Sequence, residues 1–262
     1  MLLPIHEKFI EQAIKKLSQD RRIRGILAGG SMMTNTMDEF SDLDLIIVYD
    51  PTCQAQIMNE RLHIAEGLGR LLSGFTGEHV GEPRLVICLY GPDPLHVDLK
   101  FMTLKELEIR MENPLILWEK DREISNVLAA TSPLHPSTDA QWIEDRFWVW
   151  VHYGATKLGR GEWFEFIDLL TYIRGTVLGP LILVRNDQLP RGVRRLEQLA
   201  TGEIEELKQT VPLHNLESCY RSLINTIHTY RRLREHFDVI VKDEAERVSI
   251  AYLEKVYASF IH

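Results

Sequence analysis

Residues 28–50 read "AGGSMMTNTMDEFSDLDLIIVYD". Gly29, Gly30 and Ser31 follow a short apolar run, and the stretch closes on a second apolar run that carries Asp42 and Asp44. In an extended strand successive side chains point to opposite faces, so Asp42, Asp44, Ile46 and Val48 share one face. Leu43, Leu45, Ile47 and Tyr49 share the other, which is apolar enough to lie in a core. Carboxylates at i and i+2 on one strand face have Cα atoms about 6.6–6.8 Å apart, and without a cation they repel each other. At that separation both can also reach one divalent ion, and Mg2+ suits them because it prefers hard oxygen ligands. A solitary D-x-D fits a solvated strand start equally well, so its neighbours decide the reading.

Upstream, "GILAGG" is a strand running into a tight turn, and "SMMTNTM" can open a brief helix with Ser31 near its N-cap. The N-terminal "MLLPIHEKFIEQAIKKL" places Phe9, Ile10, Ala13, Ile14 and Leu17 at helical spacing, without the basic-then-apolar order of an export signal. Downstream, residues 55–73 carry Ile64, Ala65, Leu68, Leu71 and Leu72 at helical spacing, followed by a glycine-rich turn region, "SGFTGEHVGEP". "RLVICLY" and "LHVDLKFM" then form a hairpin about "GPDP". In its second strand His96, Asp98, Lys100 and Met102 share a face, so a third acid lies on a polar strand face.

From about residue 126 the text changes. "NVLAATSPLHPST" reads as a loop, and Thr138 with Gln141 matches a capping box opening a helix through "WIEDRFWVWVHYGATKLGRG". Further helices are expected at about 162–185, with Gly175, Gly179 and Pro180 as break points, and at about 191–210, 214–236 and 243–261. Trp142, Phe147, Trp148, Trp150 and Tyr153 sit at helical spacing and read as core. Glu162, Glu165 and Asp168 suit a helix start, where acids meet the positive end of the macrodipole. Arg185, Arg191, Arg194 and Arg195 read as a solvated basic face.

The chain has 262 residues, 45% of them hydrophobic, which is enough for a large core or two smaller ones. A formal charge of −8 argues against binding nucleic acid through a basic surface. Cys53, Cys88 and Cys219 are odd in number and widely spaced, which indicates neither a disulfide framework nor a structural zinc site and fits a reducing, cytoplasmic setting. The apolar "GTVLGPLILV" has about half the length of a membrane-spanning helix, so no membrane partner is expected. No Walker-type G-x-x-x-x-G-K occurs, and "GLGRLLSG" lies inside an apparent helix, so P-loop and dinucleotide-binding readings lack support.

Taken together, "GGS", then "DLD" with Asp42 eleven positions after Ser31, then "VDL" on a separate strand resemble the signature of the nucleotidyltransferase superfamily. That superfamily includes DNA polymerase beta and small antibiotic-modifying enzymes. The stretch "LGRGEWFEFIDLLTYIRGTVL" is similar to the C-terminal helical domain of lincosamide and aminoglycoside nucleotidyltransferases. The resemblance implies an α/β (α+β) catalytic domain over 1–136, a mixed sheet backed by helices, and an all-α substrate-binding bundle over 137–262. It implies transfer of a nucleoside monophosphate from ATP or another nucleoside triphosphate to a hydroxyl of a small molecule, such as an aminoglycoside or lincosamide antibiotic, with release of pyrophosphate.

By motif position, Gly29, Gly30 and Ser31 would touch the triphosphate. Asp42 and Asp44 would ligate two Mg2+ ions, and Asp98 would ligate the catalytic ion or help deprotonate the acceptor. Glu165 is the candidate general base from the helical domain. Relatives of this architecture often dimerise, so a homodimer belongs to the expectation, whereas a nucleic-acid partner does not. The alternatives are a protein acceptor and a nucleotide-binding protein without turnover, and the intact acids argue against the latter.

Overall fold

Leu43, Leu45, Ile47 and Tyr49 are buried, while Asp44 and Ile46 between them keep partial access to solvent. This alternation makes Leu43–Tyr49 the strand β2, at the centre of a sheet. The computed structural model describes residues 2–135 and 137–261 and divides the chain into two units, Met1–His135 and Pro136–His262.

The first unit opens with helix α1 (Pro4–Leu17), with Pro4 in the first turn and Lys15 and Lys16 in the last, where each suits the helix terminus. Strand β1 (Ile23–Ala28) follows, then the short helix α2 (Gly30–Met33), β2 and helix α3 (Gln54–Glu66). Strands β3 (Arg70–Gly77), β4 (Glu82–Gly91) and β5 (Leu95–Thr103) come next. Helix α4 (Leu104–Leu107), strand β6 (Leu115–Glu119) and helix α5 (Glu123–Ala130) complete the unit.

The six strands lie in the order β3-β4-β5-β2-β1-β6. β2 and β5 are parallel, and every other pairing is antiparallel, so the sheet is mixed. One face is covered by α1 and α3, with Phe9, Ala13, Leu17, Ile57 and Ala65 packing among Ile47, Val97, Leu99 and Phe101. On the other face Leu107 and Ile124 cover Leu27 and Val48. Phe75 and Leu89, on β3 and β4, stay exposed there.

The expected hairpin is formed, with Tyr90 opposite Leu95 beside its turn. The sheet differs from the sequence expectation in one strand. "RLLSGFTG" is the edge strand β3, whereas helix periodicity ran through Leu68, Leu71 and Leu72 and the glycines read as a turn. An edge strand exposed on both sides lacks the alternation that marks a half-buried one, and Gly74 and Gly77 dilute it further. Likewise α5 runs to Ala130 through residues read as loop, its buried Ile124 packing under β1.

The second unit is helical: α6 (Ala140–Arg160), α7 (Trp163–Ile173), α8 (Gly179–Arg185), the short α9 (Leu196–Leu199) and α10 (Ile204–Lys208), α11 (Leu216–Arg234) and α12 (Asp243–Ala258). Helix α6 is capped by Asp139, whose carboxylate accepts from the Trp142 N–H at 2.8 Å, and not by Thr138. Between α7 and α8 the helix widens to a π turn over Arg174–Leu178 and does not break. Pro180 has no N–H to donate back, and a wider turn just ahead of it absorbs the mismatch. Gly179 is also a point of close approach, since a Cβ there would overlap the Gly192 carbonyl. The span Trp163–Arg185 is long and apolar enough to cross a membrane by length and composition, yet Phe166, Leu170, Ile173, Val177, Leu178 and Ile182 lie in the core of this unit. The single helix expected over 191–210 is two short ones.

Phe147 and Trp148 are core, stacked on or edge-on to Tyr230, whereas Trp142 and Tyr153 remain substantially exposed. Beneath them lies Glu144, which is 1% exposed. Its carboxylate accepts from Tyr230 Oη at 2.5 Å, Trp148 Nε1 at 3.0 Å, the Lys242 N–H at 2.8 Å and Arg234 Nη1 at 3.1 Å. Burial pushes the Glu144 carboxyl up, but these donors outweigh it and hold it below the ordinary glutamate range.

Candidate functional site

The candidate site is built by register. Asp44 on β2 and Asp98 on β5 are direct partners across the parallel pair, so both side chains leave the same face of the sheet. Asp42 stands just before β2, one pleat from Asp44. On the opposite flank of β2, β1 ends at Ala28, and the Gly29 N–H donates to the Asp44 carbonyl at 2.8 Å. That bond lays the Gly29–Gly30 turn alongside Asp44. Gly30 has a positive φ of 57°, and a Cβ on it would overlap Oδ2 of Asp44. Glycine is therefore required twice at this position, by conformation and by space.

Ser31 falls inside α2, whose N-cap is Gly29, so it is not the capping residue that its position suggested. The loop from Asp38 to Ser41 that leads into Asp42 is held by an Asp38–Phe40 turn bond at 3.0 Å and by the His6 ring, 3.0 Å from the Ser41 carbonyl.

Asp98 is half-buried, and burial pushes its carboxyl above the ordinary aspartate range. His96, whose Nε2 lies 3.0 Å from Asp98 Oδ1, pulls it back, and the charge of Asp42 pushes it up again. One pleat along β5, Lys100 pairs with Glu82 at 2.8 Å. Glu82 also pairs with Arg84 at 2.7 Å, and Arg84 reaches Glu106 at 3.0 Å.

Gly29, Gly30, Ser31, Asp42, Asp44 and Asp98 thus gather about one end of the β1–β2–β5 triplet. Their carboxylates do not converge on a point. Asp44 leans to the Gly30 turn and Asp98 to His96, and among the described residues no three His, Cys, Asp or Glu side chains are close enough to hold a metal ion. Glu165 belongs to the helical unit and is engaged there. It accepts from the Tyr153 hydroxyl and pairs with Lys157 at 2.9 Å, and these two partners hold its carboxyl below the ordinary range. Lys157 is shared with Glu162 at 2.7 Å.

His96 enters the site as a direct partner of Asp98, a pairing legible in "HVD" as i and i+2 on one face. Ile87 and Phe75 enter it through register: Phe75 faces Ile87 on β4, and Ile87 faces Asp98. No local signal in the sequence marks that row, because it depends on β3.

Comparison with known proteins gives three findings. Residues 10–81 match the family model described as a nucleotidyltransferase domain, a span that includes Gly29, Gly30, Ser31, Asp42 and Asp44 and ends before Asp98. Residues 10–81 are thus similar to a nucleotidyltransferase domain, and the chain is a transferase by class. No curated protein matches the chain by sequence.

Among solved structures, an aminoglycoside 6-adenyltransferase from Bacillus subtilis is similar at 18% identity and a TM-score of 0.44, covering 98% of this chain and 99% of that one. A nucleotidyltransferase-like protein from Exiguobacterium sibiricum is similar at 13% identity and a TM-score of 0.41, covering 86% of this chain and 74% of that one.

Proposed function

We propose that this chain, whose residues 10–81 are similar to a nucleotidyltransferase domain, transfers a nucleoside monophosphate from ATP or another nucleoside triphosphate to a hydroxyl of a small molecule, releasing pyrophosphate. The observation that carries this reading is the partnership of Asp44 and Asp98 across β2 and β5, beside the Gly29–Gly30 turn. The acceptor oxygen forms a bond to the α-phosphorus as the bond from that phosphorus to the leaving pyrophosphate breaks, and the hydroxyl proton must go to a base.

In this reading the Gly29–Ser31 turn receives the triphosphate, because a backbone without side chains admits phosphate oxygens closely. Asp42, Asp44 and Asp98 would hold Mg2+. They are oxygen donors on one sheet face, with Asp44 and Asp98 direct partners on adjacent strands, which fits a hard cation. When bound, the metal would neutralise charge on the phosphates and on the leaving group.

Asp98 would either ligate the catalytic ion or help take the hydroxyl proton, and Glu165, engaged by Tyr153 and Lys157, is the other candidate base. The acceptors to try first are the aminoglycoside and lincosamide antibiotics, which would make the enzyme one of drug resistance. The free Cys53, Cys88 and Cys219 support a cytoplasmic setting.

The test is pyrophosphate release from ATP with Mg2+ across a panel of such acceptors, for the natural protein and for Asp44→Asn. Release that needs both acceptor and metal and is lost in the variant is the expected result. Unchanged release in Asp44→Asn overturns the assignment.

A further inference from the structure

Four side chains stand in one row across the open face of the sheet. Phe75 on β3 partners Ile87 on β4, Ile87 partners Asp98 on β5, and Asp98 partners Asp44 on β2. The row then meets the Gly29–Gly30 turn at the end of β1. It is apolar at one end, acidic in the middle and bare backbone at the other.

Resting on the reading above, in-line displacement gives this order a direction. The attacking oxygen must approach the phosphorus from the side opposite the leaving group. With the triphosphate on the glycine turn, pyrophosphate departs on the β1 side of the acids, so the acceptor enters over β5, β4 and β3. Strands are about 4.8 Å apart, which puts Phe75 about 10 Å from Asp98, within the length of a two-ring molecule.

The surface on that side suits hydrocarbon. Phe75 is 49% exposed and Leu89, which faces His96 one pleat away, is 41% exposed, with Ile87 half-buried beside both and Leu85, also half-buried, one pleat further along β4. Among the described residues the acids of β4 and of the turn beyond β3 already have cationic partners. β3 carries no acid, Glu82 of β4 is taken by Arg84 and Lys100, and Glu78 just beyond β3 faces Arg61 at 3.4 Å. We infer that the acceptor is a hydroxyl compound with an apolar or aromatic flank, seated on Phe75, Ile87 and Leu89, and that a polycationic sugar is not the preferred substrate of this face.

The experiment uses the full chain with Mg2+ and ATP and measures pyrophosphate release with lincomycin, a sugar with an apolar side chain, and with kanamycin, a polycation. It is run on the natural protein, on Phe75→Ser, Leu89→Ser and the double variant, and on Ile109→Ser, a control that removes an 81% exposed side chain elsewhere. Lincomycin is expected to be the better acceptor. Its KM is expected to rise roughly tenfold in each strip variant and to stay level in Ile109→Ser.

Preference for kanamycin, or an unchanged lincomycin KM in the double variant, overturns the inference while leaving nucleotidyl transfer intact. If neither acceptor turns over, fluorescence of anilinonaphthalene sulfonate decides. Enhancement lost in the double variant and kept in Ile109→Ser supports an apolar binding strip, and enhancement kept in both overturns it. Binding of a fluorescent ATP analogue, measured in parallel, reports separately whether the transferase reading has failed. A dimer that falls apart in Phe75→Ser with the lincomycin KM unchanged overturns the inference in favour of a subunit interface.

Discussion

Gly30 makes room for the carboxylate of Asp44: the backbone turns at φ 57°, and any Cβ there would occupy the place of Oδ2. Gly30→Ala is therefore expected to displace Asp44 before it disturbs the fold. A misplacement of about 1 Å in a reacting group costs on the order of 100-fold in rate. The stability cost of a non-glycine residue in this backbone region is about 1–2 kcal/mol. Urea unfolding alongside pyrophosphate release measures both, and a variant with full activity would show that Asp44 has no task there.

Asp98 is held half-buried beside Asp42 with its carboxyl pushed up by burial, so at neutral pH its charge is carried at a cost to the fold. Asp98→Asn removes that charge while keeping the shape. The variant is expected to be inactive and more heat-stable, by about 1–3 °C in Tm for a chain of this size. Differential scanning fluorimetry checks this, and a lower Tm would mean that the bond to His96 outweighs the burial of the charge.

Glu82 is paired by Arg84 and Lys100, which hold its carboxyl down at about 2 against an ordinary 4.5. A carboxyl depressed in the folded state contributes stability that is complete above 4.5 and is lost as pH falls from 4.5 toward 2. Natural protein is expected to lose stability through that window, and Glu82→Gln is expected to lose less over the same range while being less stable at pH 7. Thermal melts between pH 2 and pH 7 make the comparison, and parallel curves for the two proteins would refute the role.

Tyr230, Trp148, Arg234 and the Lys242 N–H all donate to the one carboxylate of Glu144. Truncating one partner of a buried pair leaves the other charge and its donors unsatisfied, at about 3–5 kcal/mol. Glu144→Ala is expected to unfold the helical unit at a correspondingly lower denaturant concentration, and Glu144→Gln to recover part of the loss. Far-UV circular dichroism in urea reads both.

Much of the site was legible because it follows a period of two. The faces of "SDLDLIIVY" and "LHVDLKF" can be read residue by residue, and the structure places Leu43, Leu45, Ile47 and Tyr49 inward as that reading requires. Partnership between strands is not local. That Asp44 stands opposite Asp98 depends on β5 returning parallel to β2, which no spacing within either strand encodes.

The row through Ile87 and Phe75 was hidden further, because β3 is an edge strand with glycines where its pattern should show. The cap of α6 shifted by one residue since Thr138 and Asp139 are both good capping types. Glu144 looked like an ordinary helix acid, and its donors Tyr230 and Lys242 come from 86 and 98 residues downstream.

The hairpin turn before Leu95 sets the phase of Asp98. Leu95, which faces Tyr90 across the turn, points inward with Val97 and Leu99 while His96 and Asp98 point the other way, so losing or gaining one residue between the turn and Asp98 would send that aspartate into the hydrocarbon under α1 and α3 and bring Val97 or Leu99 out in its place. A change of length at "GPDPLHV" would therefore reach Asp98 even if every side chain of that stretch were kept, the buried Leu95 and Val97 and the His96 that pairs with Asp98 included.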